Sequence, residues 1–430
     1  MIDIQIIREK PDWVKEQLKK REYDFDATKL LKLDEAKRKM QAKVEAWRAE
    51  RNKVSAEIAR EKDNNARNKM IAAMKELGNK IDTAKVEAYE EKIFEIISAL
   101  PNIPLEDVQP GGKEANKVIR TFGKKPTFDF KPKDHVELCT NLGLIDYERG
   151  AKMSGAGTWV YTNMGARLEW ALLNYFVDFH TANGYTFIMP PHLLNYESGY
   201  AAGQFPKFQS DVFTTTTSDD EKIKSTDPKF RFLLPTAETA LINMHRGEII
   251  DPTKLPIKYF GYSPCYRKEA GSYRTSERGM IRGYQFNKIE MFAFCKAEDS
   301  PKLFEEFVKN AEKLVSGLGL HFQTVALAAG DCSAAMAKTY DIEVYIPSMI
   351  SAAGGYKEVS SASNAMDYQA RRALIRTRAQ DNKTVFVHTL NASGLATSRL
   401  IPAIVEQFQT KDGRVAVPKV LQKYINVPFF

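Results

Sequence analysis

A chain of 430 residues with 43% apolar and 11% aromatic residues can build a sizeable core, with two domains the expected number, and its composition excludes a disordered chain. No apolar run approaches the roughly 20 residues a membrane helix needs, and the start, MIDIQIIREKPDW, lacks the apolar stretch of a secretory signal. Four scattered cysteines (Cys139, Cys265, Cys295, Cys332) never form C-x-x-C, which excludes a disulfide scaffold, argues against a paired-cysteine zinc site and suits a reducing cytosol; the net charge of +8 is mild.

Most of that charge lies early. Residues 29–80 hold fifteen Lys/Arg against eight Asp/Glu, with no proline and one glycine. Apolar residues recur by threes and fours at Leu33, Ala36, Met40, Val44, Trp47, Val54 and Ile58, and again at Met70, Met74, Leu77, Ile81, Ala84 and Ala88. That spacing is the seam of a helix pair. The polar stretch from Glu61 to Arg67 predicts a turn, so two helices of about 30 residues fold back as an antiparallel hairpin of about 45 Å. After Ala88 the stripe moves to Tyr89, Ile93, Ile96 and Leu100, a phase slip. Pro101 and Pro104 end the second helix, and Pro110, Gly111 and Gly112 mark a linker. The expected domains are therefore 1–110, with the arm at about 29–100, and 111–430. A basic arm of this kind reads either as a solvated coiled coil for dimerisation or as a grip on phosphate backbones.

From about residue 125 strands and helices alternate. GARLEWALLNYFVDFHTANG predicts a helix with Leu168, Ala171, Leu172, Tyr175 and Phe176 on one stripe. In YTFIMPPHLL, Pro190 and Pro191 confine a short strand to an edge or an interface. FLLPTAETALINM places Thr236, Ala237 and Glu238 between a strand and a helix. The stretch from Pro256 to Phe294 reads as strand, polar loop (AGSYRTSERG), strand, and hence an antiparallel hairpin. YDIEVYIP, YKEVSS and TVFVHTL add strands, SRLIPAIVEQFQ closes as a helix, and TTTTSDD and SAAGG read as loops.

Three constellations carry chemistry. Arg267 and Glu269 lie two apart on a predicted strand, so on one face, while Phe286, Lys288 and Glu290 share a face of the partner strand after Arg282. An arginine, a ring and carboxylates on one sheet face suit a nucleotide; a cross-strand salt-bridge ladder is the plainer reading. Glu358 and Ser361 offer hard oxygen ligands for Mg²⁺, or are ordinary strand-end groups. Three apart, they point to opposite faces of a regular strand, so one site can use both only if the strand bulges. In NASGLATSRL a strand ends at Leu390, a tight turn follows and a helix opens near Thr397. Arg399 then sits in the first helical turn, disfavoured by the macrodipole unless an anion binds there.

These segments, in this order, resemble motifs 1 to 3 of the class II aminoacyl-tRNA synthetases, and the whole chain resembles the bacterial-type seryl-tRNA synthetases. The resemblance rests on TAE (Thr236 to Glu238), SPCYRKEAGS, RGYQFNKIEM, TYDIEVYIP, YKEVSSASN followed by DYQARR, and HTLNASGLA in combination. It implies an α+β fold: an N-terminal antiparallel coiled-coil hairpin before a mainly antiparallel catalytic sheet flanked by helices. It implies an ATP-dependent serine–tRNA ligase of the cytoplasm that forms AMP and pyrophosphate, with tRNA(Ser) as partner, tRNA(Sec) as a further candidate, and a homodimer built on the Pro190–Pro191 segment. It assigns L-serine to Thr236, Ala237, Glu238, Arg267, Glu290, Asn391 and Ser393. ATP falls to Arg267, Lys268, Glu269, Arg282, Phe286, Glu358, Val359, Ser360, Ser361 and Arg399. Among these, Arg267, Glu269 and Arg399 are the catalytic residues, Phe286 stacks on adenine opposite Arg399, and Glu358 and Ser361 take Mg²⁺. The helical arm clasps the long variable arm of the tRNA.

The chain departs from the family pattern in places. Ala392 and Ser398 stand where the family usually has glycine, adding side chains near the expected ATP site. Ala362 stands where cysteine is common, and the 348–355 loop is longer than usual. Two other readings compete: a paralogue that loads a carrier protein, which would not need the basic arm, and a silent RNA-binding paralogue, which should have lost the site's charged residues.

Overall fold

The computed structural model describes residues 1–216, 227–269, 278–349 and 355–430. It divides into two compact units: Ile2–Lys19 with Asp24–Leu100, and Met1 with Lys20–Tyr23 and Pro101–Phe430.

In the smaller unit, α1 (Thr28–Ile58) packs against α2 (Asn64–Thr83) and α3 (Val86–Ala99) after the chain reverses. Val44 and Leu77 are buried, and the other seam positions from Leu33 to Ala88 are half-buried, as the three-and-four spacing requires. The turn is shorter than expected. Asp63 accepts a hydrogen bond from the Asn65 N–H at 2.9 Å and restarts the helix at Asn64. Nor is the second helix continuous, because Ala84 is extended (ψ 112°) and separates α2 from α3. A single straight helix could not turn both the Met70–Ala84 stripe and the buried Ile93, Ile97 and Leu100 toward α1. The break resets the face, and Lys37 then pairs with Glu90 of α3 at 2.8 Å.

The larger unit is built on eight strands: β1 (Lys117–Phe122), β2 (Thr186–Ile188), β3 (Ile257–Tyr266), β4 (Gln285–Cys295), β5 (Phe322–Ala326), β6 (Lys338–Tyr345), β7 (Tyr356–Met366) and β8 (His388–Ala396). They lie in the order β1-β5-β6-β7-β8-β4-β3-β2, antiparallel except where β2 runs beside β3. The proline-bearing segment thus sits at the sheet edge. On β4, Ile289, Met291, Ala293 and Cys295 enter a core shared with α4 (Asn163–Ala182), α5 (Ser300–Gly317) and α7 (Thr397–Gln407). Phe286, Lys288, Glu290, Phe292 and Phe294 alternate to the opposite face, where the short helix α6 (Tyr368–Ala373) also packs.

Two local expectations are overturned. Thr214–Thr216 is a strand rather than a loop, paired with Phe230–Leu233. The NASGLA segment is not a turn. β8 runs unbroken from His388 to Ala396, paired with β4 from His388 to Ser393 and again at Ala396, and with β7 from Thr389 to Ala392, and passes directly into α7. Gly394 is required there by packing: a Cβ would stand 2.4 Å from His180 Nε2, which lies 2.7 Å from the Gly394 carbonyl oxygen. The polar loop expected after Glu269 and most of the 348–355 loop fall outside the described residues, as does the rest of TTTTSDD.

Candidate active site

A cavity of about 540 Å³ opens on the sheet face opposite the main helix layer. Thr236, Glu238, Glu290, Asn391 and Ser393 line it together with Arg267, Glu269, Arg282, Glu358 and Ser361. Phe286, Val359, Ser398 and Arg399 line a smaller recess that shares Arg267, Glu269 and Arg282.

The arginines and Glu269 reach the cavity differently from the sequence expectation. β3 ends at Tyr266, so Arg267 and Glu269 follow the strand instead of alternating on it. Glu269 takes a left-handed backbone (φ 48°) and pairs with Arg282 at 2.9 Å. The Arg267 guanidinium lies 5.1 Å from the centre of the Phe286 ring, and its Nε donates to the Pro235 carbonyl at 3.2 Å. Arg399 occupies the first turn of α7, as expected, and its charge there is met by oxygens: Nη1 donates to the Glu358 carbonyl at 2.7 Å and lies 3.7 Å from the Glu358 carboxylate.

Glu358 and Ser361 share one cavity because β7 carries the bulge their spacing demands. Ile342 pairs with Ser360 and Glu343 with Glu358, leaving Val359 as the extra residue. Behind them Asp341 is buried, one carboxyl oxygen without a hydrogen-bond partner among the described residues, and burial followed by the Glu358 charge pushes its pKa well up.

The other end of the cavity is enclosed and polar. Lys288 Nζ donates to Thr236 Oγ1 at 2.6 Å and stands 2.5 Å from Glu290 Oε2. Glu238 is buried beside this pair. Burial, and then the Glu290 charge, raise its pKa to about 7. Asn391 Nδ2 donates to Glu290 at 3.4 Å, while its own oxygen is buried without a partner among the described residues.

Several residues expected at the site lie elsewhere. Ala237 packs into the core near Gly261. Lys268 lines a separate aromatic pocket with Trp159 and Tyr284. Ser360 is fully buried and donates to the Ser393 carbonyl at 2.6 Å. Ala392 and Ala362 point into the helix-covered core, so only Ser398 adds a side chain beside the recess.

Comparison with known proteins decides the family. Residues 1–104 match the seryl-tRNA synthetase N-terminal domain, and residues 222–408 match the tRNA synthetase class II core domain (G, H, P, S and T). The chain is 54% identical to serine–tRNA ligase 2 of Clostridium acetobutylicum over 430 residues, covering 99% of each. The crystal structure of seryl-tRNA synthetase from Pyrococcus horikoshii complexed with ATP superposes with a TM-score of 0.89 at 35% identity, over 100% of this chain and 99% of that one. The cytoplasmic serine–tRNA ligase of Naegleria fowleri in complex with AMP gives 0.85 at 29% identity, covering 100% and 98%. The chain belongs to the seryl-tRNA synthetases.

In this seryl-tRNA synthetase, four residues at or beside the cavity went unassigned in the sequence. Lys288 is neutralised between Thr236 and Glu290. The Gln204 side-chain oxygen is buried at the cavity wall without a partner among the described residues. Gln369 touches Glu238 from α6, and Glu169 lies under β4 and α7. Lys288 was placed on the charged strand face without a role, and the DYQARR string hinted at Gln369. Glu169 hides inside an ordinary helical pattern, and its role depends on strands more than a hundred residues away.

Proposed function

We propose that the enclosed end of the cavity takes L-serine and the arginine-lined end takes ATP. The observation that carries this reading is their juxtaposition: buried carboxylates, an amide and a hydroxyl at one end, and three arginines with an aromatic ring at the other. Glu238 and Glu290 offer acceptors for the ammonium and hydroxyl groups of serine, with Thr236, Asn391 and Ser393 closing the pocket. Phe286 and Arg399 form the recess for adenine, while Arg267, Arg282 and Glu269 border the triphosphate. The serine carboxylate attacks the α-phosphorus, the bond to the bridging oxygen breaks and pyrophosphate leaves. The terminal ribose hydroxyl of tRNA then attacks the seryl carbonyl, and AMP leaves. Neither step needs a triad; alignment and neutralisation of developing charge by Arg267 and Arg399 are the protein's contribution.

Glu358 and Ser361 are a donor set that fits a hard divalent cation, and the partnerless oxygen of Asp341 behind them fits the same reading. Magnesium held there would neutralise phosphate charge. The aromatic and aliphatic residues exposed near Pro190 and Pro191, notably Trp170, Phe187, Met189 and Leu193, support the dimer face that the resemblance implied. The basic arm takes tRNA(Ser), and tRNA(Sec) wherever it carries a comparable variable arm. The cytoplasm, where tRNA is charged, is the proposed compartment; among the described residues no helix is long and apolar enough to cross a membrane.

Pyrophosphate exchange with serine, alanine, threonine and glycine tests the reading. Exchange with serine alone is expected: a pocket built to pair a hydroxyl rejects alanine and glycine, which lack it, by a factor of about 10⁴, and threonine is excluded by shape. Arg267→Ala should abolish exchange while leaving tRNA affinity within about twofold. Full exchange by that variant, or equal exchange with alanine, would overturn the assignment.

A further inference from the structure

The DYQARR segment opens α6 and lines neither the cavity nor the smaller recess, yet its side chains are more tightly held than structural filler requires. Arg372 donates to the Tyr200 carbonyl at 2.7 Å and the Phe205 carbonyl at 2.5 Å, fixing the backbone that borders the cavity. Gln369, 1% exposed, does something more specific. Its Nε2 donates to the Ala202 carbonyl at 3.0 Å and to Glu238 Oε1 at 2.6 Å, so both amide hydrogens are used. Its oxygen accepts from the Thr389 hydroxyl of β8 at 2.7 Å. These three contacts admit one orientation. A flipped amide would set its oxygen against a carbonyl and a carboxylate, three acceptors with no donor.

We propose that Gln369 is a positioning residue for serine selection: oriented by Thr389, it holds Oε1 of Glu238 and thereby presents Oε2 to the substrate ammonium or hydroxyl. This rests on the serine assignment of Glu238 above. The groups facing that carboxylate are few. Glu290 opposes its ionisation from β4, while Lys288 from the same strand and Asn391 from β8 favour it along with Gln369. Gln369 is thus the one donor that approaches Glu238 from α6. Loss of its donor removes support for the charged form, so Glu238 would hold its proton to higher pH.

Steady-state pyrophosphate exchange on the full-length protein tests this. Gln369→Leu should raise the KM for serine about ten- to a hundredfold, the loss of one hydrogen bond to a charged group, with the KM for ATP and kcat near wild type. The acid limb of kcat/KM for serine should move to higher pH. Thr389→Val should act in the same direction but less, and Thr389→Ser, which keeps the hydroxyl, should restore the wild-type value. A Gln369→Leu enzyme with unaltered serine KM and acid limb would overturn the proposal. If that variant fails to fold, Thr389→Val decides, with an unchanged serine KM again overturning it. Glu238→Gln separates the two levels. If it raises the serine KM while the Gln369 and Thr389 variants do not, the positioning role fails alone; if it too is silent, the serine assignment fails.

Discussion

Glu169 is a carboxyl in a place that offers it no water. Its Oε1 accepts from Asn287 Nδ2 at 2.7 Å and from the Thr397 hydroxyl at 2.6 Å, joining helix α4 to the strand carrying Phe286 and to the helix carrying Arg399. Burial raises its pKa from 4.5 to about 7, the hydrogen bonds opposing that shift. The sign of the resulting stability term follows. The unfolded chain ionises this group near pH 4.5 while the folded chain keeps the proton, so its contribution to stability falls as pH rises from about 4.5 to about 7, by about 1.4 kcal/mol per unit. Glutamine can accept the same two hydrogen bonds and has no charge to bury. Glu169→Gln should therefore gain on the wild type in Tm as pH rises from 5 to 7, with little further change above. A gap that stayed constant with pH, measured by calorimetry in matched buffers, would show that Glu169 is ionised throughout.

At the scale of elements, β8 shows how a strand can pass for a turn. Ala-Ser-Gly reads as a loop when neighbours are unknown, yet Ala392 is paired with both β4 and β7 and Ser393 with β4, and Gly394 is small because the His180 ring needs the space. Burial lowers the His180 pKa to about 4, so the ring packs there neutral. Gly394→Ala should cost about 1–3 kcal/mol by overpacking, and His180→Ala should recover part of that loss in the double variant. Denaturant midpoints of the four proteins measure it; additive losses would mean the two residues do not compete for one volume.

The same contrast explains what could be read beforehand. The arm's seam, the β3–β4 hairpin and the bulge at Val359 follow from local periodicity or from two residues needing one cavity. The break at Ala84, the continuation of β8 through Gly394, and the ties of Gln369 and Glu169 depend on contacts between distant segments that periodicity does not encode. Arg267 and Glu269 were grouped correctly for an incomplete reason: they meet at the cavity through a left-handed turn after the strand, not by alternation along it.

For the whole molecule, the uneven placement of charge is the argument. Residues 29–80 of the small unit carry fifteen Lys/Arg against eight Asp/Glu, while every residue proposed for adenylation lies in the large unit. Some arm cations are neutralised locally, as Lys39 is by Glu35 and Lys80 by Glu76. Lys43, Arg48 and Lys53 are exposed on α1 and pair with no acid among the described residues. If they meet RNA phosphates, each replaced cation should remove about one unit from the log–log salt slope of tRNA binding. Glutamate at all three positions should raise the KM for tRNA and flatten its dependence between about 50 and about 200 mM salt. Pyrophosphate exchange should stay at the wild-type rate, since that step needs no tRNA. Filter binding and exchange on the same preparations give both readings. A variant that binds tRNA with the wild-type salt slope would take the phosphate contacts away from these three residues.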